Sequence, residues 1–218
     1  MTPLLLKKKK KRMTLQAPET YGTAGIDEAG VGPWAGPVVA AAVAIQPNFL
    51  SKISHLIIND SKKLTSTKRE SIFLAFQQMH NPNEGFDFSI GSASVDEIDK
   101  LNIRNATHLA MCRALENLTL PINSVFVDGN HGPKINIPMT CIVKGDQKIL
   151  SISMASIIAK VYRDRVMEAL HEKHPCYNWI KNAGYGTKHH KEALEEFGIT
   201  AHHRKSYAPI RAIIDKKI

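Results

Sequence analysis

Gly25-Ile-Asp-Glu-Ala-Gly30, Val31-Gly-Pro-Trp-Ala-Gly36 and Pro37-Val-Val-Ala-Ala-Ala-Val-Ala-Ile45 run without a break and hold two strand candidates around a glycine-rich connection. The second, Pro37–Ile45, is a continuous run of valine, alanine and isoleucine with no charge. Such a run suits a strand covered on both faces, as in a sheet with helices on either side. The first, Thr23–Asp27, is short and ends in two acids, Asp27 and Glu28. A strand that delivers charge at its end, beside a strand that is wholly apolar, predicts an α/β domain with a chemical site at a sheet edge.

The elements that follow agree with that frame. A polar loop over Asn59–Leu64 leads to a helix over Thr67–His80, where Thr67 and Glu70 have capping-box spacing and Ile72, Phe73 and Phe76 have helical spacing. After the break at Pro82 to Gly85, Phe86–Ala93 alternates as a third strand. Ile103–Leu118 reads as a helix closed by Pro121. Ser124–Val127 and Met139–Val143 are further strand-length runs, the first entering Asp128-Gly129-Asn130 and the second Lys144-Gly145-Asp146. Ile152–Leu170 is the strongest helix. Its Met154, Ile157, Ile158, Val161 and Leu170 share one face, with Lys160, Asp164 and Glu168 outside it. Beyond Pro175 come Tyr177, Trp179, the turn Gly184-Tyr185-Gly186, a helix near Lys188–Phe197 and a basic, histidine-rich end. The expected architecture is a mixed open sheet flanked by helices, with a helical C-terminal appendage, over residues 20–218, preceded by a basic tail over 1–19.

Composition bounds the function. The chain has 218 residues, 43% of them hydrophobic, enough for one full core. No apolar run approaches the ~20 residues that cross a bilayer. The leading leucines precede Lys7–Arg12, the reverse of a secretory signal, so no export is expected. Cys112, Cys141 and Cys176 are widely spaced and odd in number, which suits a reducing, cytoplasmic setting. The net charge is +9, and the six residues Lys7–Arg12 carry six of those charges. Such a tail is either a solvated, disordered arm, an aid to binding phosphate backbones, or a product of a start codon placed ahead of the true one at Met13.

Three strand candidates end in carboxylates: Asp27-Glu28, Asp128 and Asp146. Carboxylates gathered at one edge repel each other unless a cation joins them. Oxygen ligands without accompanying cysteine suit Mg²⁺ or Mn²⁺ rather than zinc, and two such ions about 4 Å apart can activate water against a phosphodiester. The competing reading is that Asp before Gly is ordinary turn chemistry. Neighbours in a regular strand also face opposite ways, so Asp27 and Glu28 converge only if the strand is ending there.

Seven motifs in order resemble the ribonuclease HII family. After Gly25-Ile-Asp-Glu-Ala-Gly30 and the run from Gly32 to Val43 come Asp60-Ser-Lys-Lys-Leu64, Val127-Asp-Gly129, Lys144-Gly-Asp146, and Ala155-Ser-Ile-Ile-Ala-Lys160 with Arg163-Asp-Arg165. Gly184-Tyr-Gly-Thr187 follows, then His203-Arg204 with Ser206-Tyr-Ala-Pro209. The resemblance implies a ribonuclease H-like fold and a monomer, with Asp27, Glu28, Asp128 and Asp146 holding two divalent ions, Mn²⁺ or Mg²⁺. It implies hydrolysis of the RNA strand of RNA–DNA hybrids. It also implies cutting on the 5′ side of ribonucleotides embedded in duplex DNA, leaving a 3′-hydroxyl and a 5′-phosphate. The loop Gly30, Val31, Gly32 would read the 2′-hydroxyl, Lys62 and Lys63 would contact phosphates, and Tyr185 would stack at the ribonucleotide junction. One departure stands out: Val31 occupies the place of the family arginine. The related ribonuclease HIII carries an N-terminal binding domain for which too few residues precede Gly25. The histidine pairs lack the cysteines of a zinc site. The glycine loop is interrupted by Pro33 and Trp34 and does not fit a dinucleotide-binding turn. A non-catalytic hybrid-binding module and a deoxyribonuclease of related fold are the alternatives.

Overall fold

The computed structural model describes residues 22–53 and 64–216. The basic tail, Lys62, Lys63 and most of the Asn59–Leu64 loop lie outside those residues. Five strands form one open sheet: β1 (Thr23–Ala29), β2 (Val38–Ile45), β3 (Phe86–Ala93), β4 (Ser124–Asp128) and β5 (Met139–Ile142), in the order β3-β2-β1-β4-β5. β2 is antiparallel to both β1 and β3, whereas β1, β4 and β5 run parallel. The sheet is thus mixed and open, as expected.

Every residue of β2 is buried, and its two faces serve two cores. Ala41, Val43 and Ile45 pack with Phe73 and Phe76 of α2 (Ser66–Met79) and with Met154, Ile157 and Ile158 of α5 (Leu150–Lys173). Ala40, Ala42 and Ala44 face Ala106, Ala110, Met111 and Ala114 of α4 (Ile103–Glu116). The period-2 alternation of a strand distributes side chains between two helical layers, and small alanines let α4 lie close. A short α1 (Leu50–Ile53) follows β2, and α3 (Val95–Leu101) precedes α4.

A third core joins the C-terminal elements to the connection between β1 and β2. Tyr177, Trp179 at the start of α6 (Trp179–Asn182), Leu194 of α7 (Lys188–Phe197) and Ile210 of α8 (Ala208–Lys216) pack with Met167 and Ala35. Main-chain bonds fasten the same seam: Trp34 N to Gly184 O (2.8 Å), Gly36 N to His202 O (2.9 Å) and Arg204 N to Trp34 O (2.8 Å). The appendage therefore braces the glycine-rich loop. Among the described residues no helix is long and apolar enough to cross a membrane.

Four expectations are corrected. β1 does not end at Asp27 but continues to Ala29. α2 is capped by Thr65, whose side chain accepts from Lys68 N (3.3 Å), and Thr67 lies inside the first turn. α3 was not anticipated, although Ser94 and Glu97 form its capping box. α5 is not one-faced in its first half: residues 151–159 are all buried, because the helix runs between the sheet and α2.

Candidate active site

The β1–β4 ladder stops at the Ile26–Val127 pair, so the last residues of β1 project past their parallel neighbour. Side chains from both faces of β1 can then bend around an open edge. Asp27 turns to the α5 side, where Ser156 hydrogen-bonds its carboxylate, and Glu28 reaches toward the pocket lined by Thr107 and His108 of α4. Asp128 closes the gap at the end of β4. All three line one cleft of about 390 Å³, together with Gly30, Val31, Gly32 and Tyr185. Convergence comes from the end of the ladder rather than from the end of the strand.

Asp27 is only 4% exposed. Burial, then the charges of Glu28 and Asp128, push its carboxyl well above the ordinary carboxylate range, against hydrogen bonds from Ser156 and the Glu28 N–H. Asp128 accepts from Gly145 N at 2.6 Å, which ties it to the turn after β5. Asp146, next along that turn, is fully buried and does not line the cleft. The structure thus brings three of the four expected acids into one cleft and leaves the fourth buried outside its lining, next to the Gly145 that bonds Asp128. Among the described residues no three His, Cys, Asp or Glu side chains are already gathered to hold an ion. The donor chemistry nonetheless fits a hard divalent cation: Asp27 is buried within reach of the Glu28 and Asp128 charges, and burial first and those charges next make its carboxyl resist ionising.

Two buried arginines shape the glycine loop. Arg204 donates to the carbonyls of Gly30 (2.6 Å), Val31 (3.0 Å), Gly36 (3.0 Å) and Pro37 (3.2 Å), and to the Tyr207 hydroxyl, which itself donates to Val31 O (2.6 Å). Arg163 donates to Pro37 O, Ala35 O and Ala183 O at 3.0–3.1 Å. Carbonyl dipoles satisfy these forks where no carboxylate does. Burial, then the neighbouring Arg204 charge, bring Arg163 down to about 10. Gly30 has φ +97°, and a Cβ there would lie 2.0 Å from Arg163 Nε, so the loop tolerates only glycine.

Tyr185 stands on the opposite wall, half exposed, with its Cε1 3.3 Å from where a Gly32 Cβ would sit. Gly186 lies flat against the Trp34 ring, where a Cβ would clash at 2.1 Å. The Tyr185 ring itself stays half exposed at the cleft. Arg69, Ser156 and Lys160 also line the cleft. Lys160 Nζ bonds Asp164 (2.5 Å), and Arg69 Nη1 bonds Leu64 O (2.6 Å). Sequence reading gave none of these a role. Lys160 looked like an outside residue of a one-faced helix, and Arg69 carries no local signal. Arg163 and Arg204 were visible only as motif letters, because most of their partners are main-chain carbonyls, many of them over 100 residues away.

The family model for ribonuclease HII matches residues 24–209. A ribonuclease HII of Wolbachia pipientis subsp. Culex pipiens (strain wPip) is 50% identical over 191 residues, covering 87% of this chain and 92% of that one. One from Jannaschia sp. (strain CCS1) is 46% identical over 192 residues, covering 88% and 92%. The crystal structure of ribonuclease H2 from Pyrococcus horikoshii OT3 superposes with a TM-score of 0.74 at 28% identity, covering 89% of this chain and 97% of that chain.

Proposed function

The chain belongs to the ribonuclease HII family and is a ribonuclease H, and we propose that it cuts on the 5′ side of ribonucleotides by a two-metal-ion mechanism. Its substrates on this reading are RNA–DNA hybrids and duplex DNA containing single ribonucleotides. The observation that carries it is the meeting of Asp27, Glu28 and Asp128 with the Gly30–Gly32 loop and Tyr185 in one cleft.

Asp27, Glu28 and Asp128 would hold the divalent ions, Mn²⁺ or Mg²⁺, with Asp146 as the fourth carboxylate from the turn tied to Asp128. Bound there, the ions supply an activated water and charge for the leaving 3′-oxygen. The protein's own part is placement. Arg163 and Arg204 hold the Gly30–Gly32 backbone open to the sugar, where the 2′-hydroxyl distinguishes a ribonucleotide. Tyr185 offers a face for the junction, and Arg69 and Lys160 line the cleft with positive charge toward the phosphates. Lys62 and Lys63 are proposed to extend that contact.

The assay is cleavage of three duplexes, one with a single ribonucleotide, one a long hybrid and one all DNA, in Mn²⁺ and in Mg²⁺. Cutting of the first two with 3′-hydroxyl and 5′-phosphate ends is expected. Asp128→Asn should nearly abolish it while keeping partial binding in Ca²⁺, since an amide cannot offset the ions' charge and basic residues supply much of the affinity. Binding without cleavage would favour a hybrid-binding module, and cutting of the all-DNA duplex would favour a deoxyribonuclease.

A further inference from the structure

Tyr185 owes its place to a chain of hydrogen bonds that ends on its own carbonyl. His190, on α7, and His203, in the segment before α8, are fully buried, with their Nε2 atoms 3.1 Å apart. Partners that can play only one role fix every proton. Thr200 N–H can only donate, and it meets His203 Nδ1 at 2.9 Å, so the neutral ring carries its hydrogen on Nε2. The Trp179 indole N–H can only donate, and it meets His190 Nε2 at 3.2 Å. That nitrogen therefore accepts, from Trp179 and from His203 together. The remaining His190 hydrogen sits on Nδ1, 2.9 Å from the Tyr185 carbonyl, which can only accept. A second donor, Thr187 N, reaches the same carbonyl at 2.8 Å.

We propose that His190 and His203 are positioning residues for ribonucleotide recognition, a neutral relay from Thr200 through both imidazoles that fixes the Tyr185 main chain and thereby its ring beside Gly32. The proposal rests on the reading of Tyr185 as a substrate-facing ring. A proton added to either ring would set N–H against N–H, at Thr200 for His203 and at Trp179 for His190. The surroundings oppose that proton. Tyr177 and Trp179 pack on both rings, and the titratable groups facing the pair are Tyr177, His189 on α7, His174 at the end of α5, and His202. Burial, then the neighbouring imidazole, hold His203 down to about 3, and burial lowers His190 as well.

The test measures kcat and KM on the single-ribonucleotide duplex and on the long hybrid for wild type, Tyr185→Ala, His190→Ala and the double variant. His190→Ala is expected to raise KM on the single-ribonucleotide duplex roughly tenfold more than on the hybrid, the scale of one lost base stack. Tyr185→Ala should show the same preference, and the double variant should add nothing to it. Equal loss on both substrates in His190→Ala alone, or additive loss in the double variant, would overturn the proposal. Equal loss in Tyr185→Ala would instead overturn the reading of Tyr185 on which it rests. ¹⁵N-edited imidazole spectra of the unaltered protein keep the relay testable if His190→Ala fails to fold. A hydrogen on His190 Nδ1 and on His203 Nε2 at neutral pH supports it; His190 in the Nε2–H tautomer refutes it.

Discussion

Val31, which the resemblance sets in the place of an arginine, has a main chain and a side chain with separate tasks. Its carbonyl accepts from Arg204 and Tyr207, so the backbone path of the loop does not depend on which side chain it bears. Val31 is 39% exposed and lines the cleft. An arginine there would reach open space beside the substrate path without disturbing either bond. Val31→Arg should therefore keep ribonucleotide selectivity, lower KM, and steepen the salt dependence of KM by about one counterion. KM against salt on the single-ribonucleotide duplex checks this for both proteins. An unchanged slope would mean that positive charge already fills the position. Arg69 and Lys160 line the same cleft and are the residues to substitute next.

At the scale of elements, the pair α3–α4 is joined by Glu97, which serves two partners. Its carboxylate takes both Nη atoms of Arg113 (2.7 and 3.0 Å) and accepts from Ser94 N (2.8 Å) to complete the capping box. Arg113, then the Ser94 N–H, hold the carboxyl down to about 2. A folded value below the unfolded one of ~4.3 contributes stability above that unfolded value, and the contribution is lost as pH falls toward 2. Glu97→Gln should lower Tm at pH 7 by the ~2–4 °C expected for about 1 kcal/mol of lost cap in a chain this long. The gap should narrow as melts are taken from pH 5 toward pH 3; a gap constant with pH would mean that the pair is not ionic in effect. The same helix measures how far sequence could be read. Ser94-Val-Asp-Glu97 carried the cap signal in plain view, yet a seven-residue helix abutting α4 merges with its neighbour in any periodicity. β2 and β3 were legible to the residue or nearly so, because a continuous apolar run and an alternating pattern wrote them locally, and α7 was placed near its observed bounds. In the candidate cleft, Asp27, Glu28, Asp128 and the Gly30–Gly32 loop were the residues the sequence picked out. It was not legible in Arg163, Arg204 and the His190–His203 pair, whose meaning lies in contacts between distant segments.

Across the whole molecule, folding works against the cleft it builds. It carries Asp27 out of water and sets it beside Glu28 and Asp128, so burial first and those charges next raise its carboxyl well above normal. The folded chain then binds the Asp27 proton more tightly than the unfolded chain does. Between the ordinary value of ~3.9 and the raised folded value, the unfolded state holds fewer protons, and stability falls as pH climbs through that window. Above it, the cation-free protein carries the whole cost. Asp27→Asn removes that cost, and an amide oxygen can still accept from Glu28 N. In EDTA at pH 7 the variant should therefore melt above wild type, by ~2–4 °C for each kcal/mol released. The difference should shrink at pH 4, where the wild-type carboxyl is protonated in the folded state. Added Mn²⁺ should reverse the order, because a ligand bound by the native state alone raises Tm, and wild type offers it the better site. The measurement is a set of melting curves for both proteins, with EDTA and with Mn²⁺, at pH 4 and pH 7. A variant that melts below wild type in EDTA at pH 7 would show that Asp27 stabilises the fold as an ordinary buried hydrogen-bond acceptor. The cleft would then have been built without tension, and the case for a cation drawn from crowded carboxylates would fail with it.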